Sequence, residues 1–283
     1  MKSGLVGSLP KGLTLSTATR ESDVLVTLPI HNEERMLYDS VHKLIEGLNA
    51  SGLRYRLSLA EDGSVDGTMG IMKDLQAEFP DIIVRSAPQR QGRGAALRKL
   101  WREVDANIYV FTDADLAAGP TALISVVDEV GRGADVAIGS RYCTGANVHR
   151  PPLRDWVSRG YNRLVRLLFH DQIRDHQCGL KAFRRGAVVR LMEMTREESW
   201  AWDTEVLVIA SLSGMRVVEV PIEWHEYRYP RTPIRRLISD VLLHGRSLIR
   251  LKSGLAGRLA EGLTACDPPT ITRRPGPTVK GKR

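Results

Sequence analysis

The chain has 283 residues, 42% hydrophobic and 26% charged, with a formal net charge of +8. That is enough for one large or two small domains. Three cysteines, Cys143, Cys178 and Cys266, share no metal-ligand spacing, which argues against a disulfide framework and for a reducing compartment.

Gly, Ser, Pro and Lys interrupt Met1 to Lys11, so no signal-peptide core is expected there. Val24 to Ile30 is apolar and β-branched and reads as a buried first strand. His31-Asn32-Glu33-Glu34 follows, with Asn32 a candidate N-cap for a helix carrying Leu37, Val41, Leu44, Ile45 and Leu48. Tyr55 to Glu61 alternates into a second strand that ends in the acidic turn Glu61-Asp62-Gly63-Ser64-Val65-Asp66-Gly67-Thr68. Asp81 to Ser86 reads as a third strand, and Gln91-Gly92-Arg93-Gly94 opens the next helix. A fourth strand, Asn107 to Thr112, delivers Asp113-Ala114-Asp115, and a fifth, Ala134 to Ser140, delivers Arg141. This βαβ alternation predicts a Rossmann-like, doubly wound, mainly parallel α/β sheet. Ligands of such sheets bind outside the carboxyl ends of the strands, where Asp113 and Asp115 leave one residue apart. Two carboxylates there suit a hard divalent cation and a substrate phosphate.

Farther on, Leu153 to His170 reads as a helix with an apolar stripe at Leu153, Val157, Tyr161, Leu164 and Leu168. Arg154, Ser158 and Asn162 recur on it at four-residue spacing, as a polar wall would. Asp175-His176-Gln177-Cys178-Gly179 is a polar segment leading into Leu180 to Arg185, and Asp203 and Glu205 open an apolar helix. Arg216 to Trp224 reads as a strand that Pro221 assigns to a sheet edge.

In this order and spacing the segments resemble family 2 glycosyltransferases of the GT-A fold, in particular the polyprenyl-phosphate (dolichyl-phosphate) glucose and mannose synthases. The pieces are Pro29-Ile30-His31-Asn32-Glu33, the acidic turn from Glu61, Gly92-Arg93-Gly94, Asp113-Ala114-Asp115, Gly139-Ser140-Arg141-Tyr142 and Asp175 to Phe183. The resemblance implies a metal-dependent, inverting hexosyltransferase. Pro29, His31, Asn32, Glu33, Glu61, Asp62, Gly63, Arg93, Asp113 and Ala114 would bind the nucleotide-sugar donor, with Asp62 on the base or ribose. Asp113 and Asp115 would hold Mg²⁺ or Mn²⁺, and Asp115, Asp175 and Arg141 would be the catalytic group. Gln177-Cys178 and Asp203-Thr204-Glu205 look more like the glucosyl branch, hence UDP-glucose. Three positions depart from the pattern: Glu61 replaces the usual aspartate, Ala117 replaces a side-chain oxygen ligand, and Arg228 to Thr232 replaces a Gly-Ser-Lys-like loop over the acceptor.

The acceptor expected on this reading is a polyprenyl phosphate or another phosphate-bearing molecule; the same chemistry on a soluble acceptor is the alternative. No run approaches the ~20 apolar residues of a spanning helix. The expectation is therefore a cytoplasmic protein, with an anionic membrane surface at the inner face as a candidate partner. Pro233 to Leu251, with Arg235, Arg236, Arg246 and Arg250, reads as a basic amphipathic helix for that role or as a terminal helix packed on the domain. A nucleic-acid partner is not expected, because the arginines are not interleaved with base-stacking aromatics and the acidic loops would go unexplained. A nucleotidyltransferase would need a basic Gly-rich loop where His31-Asn32-Glu33 stands. These readings divide the chain into a flexible leader (1–22), a GT-A domain (23–227), a basic amphipathic segment (228–263) and a disordered basic tail (264–283).

Overall fold

The computed structural model describes residues 15–226 and 245–255. After a short helix α1 (Thr17–Glu21), strands and helices alternate: β1 (Val24–Ile30), α2 (Leu37–Ser51), β2 (Tyr55–Asp62), α3 (Thr68–Glu78), β3 (Ile83–Ala87), α4 (Arg93–Glu103), β4 (Ile108–Thr112), α5 (Gly119–Gly131) and β5 (Val136–Ser140). The second half carries β6 (Asn147–His149), α6 (Pro152–Phe169), β7 (Leu180–Arg184), α7 (Arg185–Met194), α8 (Trp202–Leu212), β8 (Val217–Pro221) and β9 (Glu223–His225). Seven strands form one sheet in the order β3-β2-β1-β4-β7-β5-β8, parallel except for β7; β6 and β9 pair as a separate parallel ribbon.

The sheet is doubly wound because its central strands are apolar on both faces. Val24, Val26, Leu28 and Ile30 of β1 pack with Leu37, Val41 and Leu44 of α2 and with Leu123 and Val127 of α5. Leu25, on the opposite face, joins Trp101, Phe111, Phe183 and Trp202 under α4, α7 and α8. Burying strands on both sides is what a parallel sheet requires.

The structure corrects or completes the sequence reading at four places. Asn32 does not cap α2, which starts at Leu37; it sits in the left-handed region (φ 56°) and its Oδ1 accepts the Val65 N–H at 2.9 Å. Its short amide tolerates that conformation and satisfies the neighbouring loop instead. Leu180 to Arg184, given no element from the sequence, is a central antiparallel strand, β7, filling the gap between β4 and β5. Residues 17–21, expected in a flexible leader, dock on α5, where Asp128 accepts the Ser16 N–H (2.8 Å) and the Thr19 hydroxyl (2.9 Å).

The fourth correction concerns α6. Ser158, Asn162, Val165 and Phe169 face inward, whereas Leu153, Leu164, Leu167 and Trp156 are exposed, the last two at 65% and 75%. Polar anchoring decides the rotation, as the site makes plain below. Of the expected basic amphipathic helix from Pro233 to Leu251, residues 233–244 lie outside the described residues, as does the segment from Arg228 to Thr232. The helical stretch 245–255 packs through Leu248 and Leu251 against Val165 and Phe169 of α6 and Val208 of α8.

Candidate active site

Strand register gathers the sequence motifs at one edge of the sheet. Ile30 pairs with Glu61, and Thr27 with Phe111, so the loops after β1, β2 and β4 emerge side by side. Antiparallel β7 runs the other way, with Leu180 opposite Thr112, so its N-terminal lead-in, Asp175 to Gly179, reaches the same edge. Ser140 opposite Pro221 brings Arg141 and the start of β9 there too.

The loops expected to meet the donor are held chiefly by backbone N–H groups. Asp62 accepts the N–H groups of Gln91 (2.6 Å) and Gly92 (2.8 Å), which fixes the entry to α4; Glu61 accepts the Ser64 N–H. Both acids are buried, so the carboxylate expected to meet base or ribose is engaged on the protein's own main chain. Gly63 follows at φ 64°, and a Cβ there would lie 2.4 Å from the Arg90 nitrogen, so only glycine fits. The His31 ring donates from Nδ1 to the Asp62 carbonyl (2.7 Å), and the Glu33 N–H donates to the Thr68 hydroxyl (2.8 Å). Pro29 and His31 remain partly exposed at the mouth.

Asp113 and Asp115 leave β4 partly exposed, on either side of buried Ala114. Gly179 accepts the Asp113 N–H (3.0 Å) and passes so close that a Cβ would lie 1.9 Å from Asp113 Oδ2. Arg93, buried at the start of α4, bridges Asp113 and Asp203 (2.8 Å to the latter) and stacks 3.7 Å from the Trp200 ring centroid. Lys181, buried on β7, completes the chain with Asp203 at 2.6 Å. Burial alone would weaken the Arg93 charge, but the Asp113 and Asp203 carboxylates outweigh it and hold the guanidinium above its ordinary value. The donor set at Asp113 and Asp115 is all oxygen, open to solvent and flanked by cationic support, which fits Mg²⁺ or Mn²⁺ together with a diphosphate.

On the other side, Arg141 and Asp175 form a buried bidentate pair, Nε to Oδ2 and Nη2 to Oδ1 both at 2.8 Å, with the Arg141 N–H also on Oδ2 at 3.0 Å. Burial pushes the Asp175 carboxyl up, yet the Arg141 charge and hydrogen bonds prevail and leave it below the usual carboxylate range. Arg141 and Asp175, both expected in the catalytic group, are thus turned onto each other and buried. The next residue, His176, explains the rotation of α6. Its N–H donates to Asn162 Oδ1 (2.8 Å), and its ring nitrogens lie 3.0 Å from that oxygen and 2.9 Å from Asp171. Orienting Asn162 and Ser158 inward leaves Leu153 and Leu164 exposed, while Tyr161 and Leu168 of the expected stripe pack partly buried beside Val165 and Phe169. Cys178 is no nucleophile: burial pushes its thiol up to about 12.

The sequence reading missed the arginine group beside this pair. Arg150 donates to the Tyr142 hydroxyl (3.3 Å), and Arg150 and Arg154 share Glu226 at 3.7 and 3.2 Å. Three arginines, 141, 150 and 154, thus meet two carboxylates. Burial, then the Arg141 charge, pulls Arg150 below its ordinary value, and its buried Nε has no hydrogen-bond partner among the described residues. A basic residue directly before Pro151-Pro152 was the available signal; Lys181, an isolated charge inside an apolar strand, was another. The Asp175–Gly179 segment links the two groups: Asp175 holds Arg141 at one end, and Gly179 abuts Asp113 at the other.

The mainly parallel α/β sheet that carries these residues is of the GT-A type. The chain belongs to glycosyl transferase family 2, whose model matches residues 25–191. It is 35% identical over 255 residues to the glycosyltransferase AglD of Haloferax volcanii, covering 89% of this chain and 39% of the relative. It is 29% identical over 224 residues to the dolichyl-phosphate beta-glucosyltransferase of Saccharomyces cerevisiae, covering 71% and 66%. The chain therefore spans about two fifths of the first relative's length and just under two thirds of the second's. Among solved structures it resembles glucosyl-3-phosphoglycerate synthase from Mycobacterium tuberculosis in complex with Mn²⁺, UDP-glucose and phosphoglyceric acid, at TM-score 0.63 and 19% identity over 83% of this chain and 81% of that one.

Proposed function

We propose that the protein transfers glucose from UDP-glucose to a polyprenyl phosphate, with inversion at the anomeric carbon, at the cytoplasmic face of a membrane. The observation that carries this reading is the opening of the donor loops and the Arg150–Arg154 group on one edge of the sheet. The named activity of the yeast relative supports the acceptor and the sugar.

Asp113 and Asp115 would hold Mg²⁺ or Mn²⁺, which supplies neutralising charge to the departing nucleoside diphosphate. Arg93 keeps the Asp113 carboxylate oriented. Pro29, His31, Asn32 and Glu33 line the nucleoside side, while Glu61, Asp62 and Gly63 shape the loop beneath it. A phosphate monoester carries roughly −1.5 to −2 charge at neutral pH, so its oxygen attacks without a general base. Attack forms the bond from that oxygen to the anomeric carbon and breaks the bond to the donor's diphosphate. Arg150 and Arg154 receive the acceptor phosphate by charge-assisted hydrogen bonds. Arg141 and Asp175, locked on each other, position Tyr142 and the 175–179 segment.

The exposed face of α6 supports a lipid acceptor. Trp156, Leu153, Leu164 and Leu167 lie together with exposed Arg159 and Arg163, a combination suited to an anionic lipid interface. Among the described residues no helix is long and apolar enough to cross a membrane. The test is transfer by the purified protein from a panel of nucleotide sugars to a short polyprenyl phosphate and to a soluble phosphorylated acceptor. Transfer to the lipid from UDP-glucose is expected. Transfer only to the soluble acceptor would move the reading to a soluble pathway, and tighter binding of GDP than UDP would overturn the donor.

A further inference from the structure

We propose that His149, Glu223 and His225 form a second cation site, which takes one borderline transition-metal ion such as Zn²⁺. The β6–β9 ribbon sets up this trio. In its parallel register His149 lies opposite His225, and Glu223 stands two residues before His225, so all three side chains share one face of the ribbon. Trp224 points the other way, into the core. One donor atom from each of the three lies within 4.8 Å of the others. Ligand atoms around a tetrahedral zinc sit about 3.3 Å apart, so side-chain rotation alone closes the set. The imidazoles stack at 4.8 Å and 7°, and Glu223 already reaches His225 at 2.9 Å.

Two nitrogens and a carboxylate oxygen leave a position open to water or ligand, and imidazole selects zinc, nickel, cobalt or copper over magnesium. The pair Asp113–Asp115 has the opposite preference, so the two sites sort their ions by chemistry. Position gives the ribbon its consequence. The His225 N–H donates to the Ala117 carbonyl (2.9 Å), just beyond Asp115, and the next residue, Glu226, holds Arg150 and Arg154. An ion clamping β6 to β9 would fix the anion receptor against the Asp115 loop.

The full chain, stripped with chelator and kept in excess Mg²⁺ to fill the oxygen site, is titrated with Zn²⁺ by calorimetry, and with Co²⁺ followed by its visible absorption. One equivalent of Zn²⁺ is expected, with a Co²⁺ spectrum that reports nitrogen ligation. Loss of a ligand in His149→Ala or His225→Ala should weaken binding by at least about a hundredfold, and Glu223→Gln by less. Asp115→Asn should leave it unchanged. Circular dichroism without metal checks that each variant is folded, and His149→Gln, which keeps the side chain's bulk, replaces any that is not. Unchanged Zn²⁺ affinity in a folded His149 variant overturns the site, as does no binding by the parent protein. Loss of binding in Asp115→Asn would assign the ion to the strand mouth instead.

Discussion

On the proposed donor side, Glu61 and Asp62 hold their loops by accepting main-chain N–H groups, whereas on the proposed acceptor side Asp175 and Glu226 hold theirs by meeting guanidinium groups. The first arrangement fixes a loop whatever its neighbouring side chains are. The second makes the fold itself depend on charge balance, since each buried ion needs its counterpart. Loss of one charge should therefore cost more stability at buried Asp175 than at partly exposed Asp115, where the loss should fall on chemistry.

The largest effect tests that contrast directly. Asp175→Asn leaves Arg141 buried without its counter-ion and should cost about 3–5 kcal/mol, read from the urea midpoint at neutral pH. Because the Asp175 carboxyl is held below its usual range, the pair's stabilisation is complete above the unfolded-state value near ~3.9 and is lost as pH falls through the lower folded value. The gap between parent and variant should stay constant from neutral pH to about 4 and narrow only in stronger acid. A gap that closes already at pH 6 would break the assignment.

Asp115→Asn should do the reverse. Turnover should fall about 10²- to 10³-fold with the melting temperature unmoved, since one electrostatic contact to developing charge is lost at a partly exposed strand end. Near-normal turnover by the folded variant at limiting Mn²⁺ would remove the cation from this site. Arg150→Ala should raise KM for the phosphate acceptor about 10- to 100-fold, the size of a hydrogen bond to a charged group, while KM for the donor stays put. Equal changes in both constants would mean that Arg150 merely supports the ribbon. The smallest effect belongs to the surface: Trp156→Ser with Leu167→Ser should weaken sedimentation with anionic vesicles about tenfold and spare turnover of a soluble acceptor analogue. A lowered melting temperature instead would mean that this face packs on protein.

How legible each side was follows from the same contrast. The motifs after β1, β2 and β4 could be read because each sits directly behind an apolar strand, and parallel register carries it to the mouth without further information. Asp113 and Asp115 needed only Asn107 to Thr112 before them. The acceptor side joins side chains that no strand register brings together, such as Arg154 with Glu226, 72 residues apart, and Asn162 with His176, and nothing local announces those pairs. The misreading of α6 has that cause. Its leucines make a plausible inward stripe, but burying Asn162 to hold His176 outweighs it. β7 escaped notice because Lys181 and Arg184 interrupt its apolar pattern, although Lys181 is buried against Asp203.

Antiparallel β7 also dictates an order of assembly. β4 ends at Thr112, yet the strand that covers one of its edges begins at Leu180. A chain growing at about 5–20 residues per second therefore leaves that edge uncovered for roughly 3–14 s after β4 has emerged. During that interval β3, β2, β1 and β4 can pair while an apolar strand stands open to neighbours, the condition under which sheets recruit the wrong partner. The feature that brings the two halves of the site together makes the young chain depend, for those seconds, on nothing else reaching β4 first.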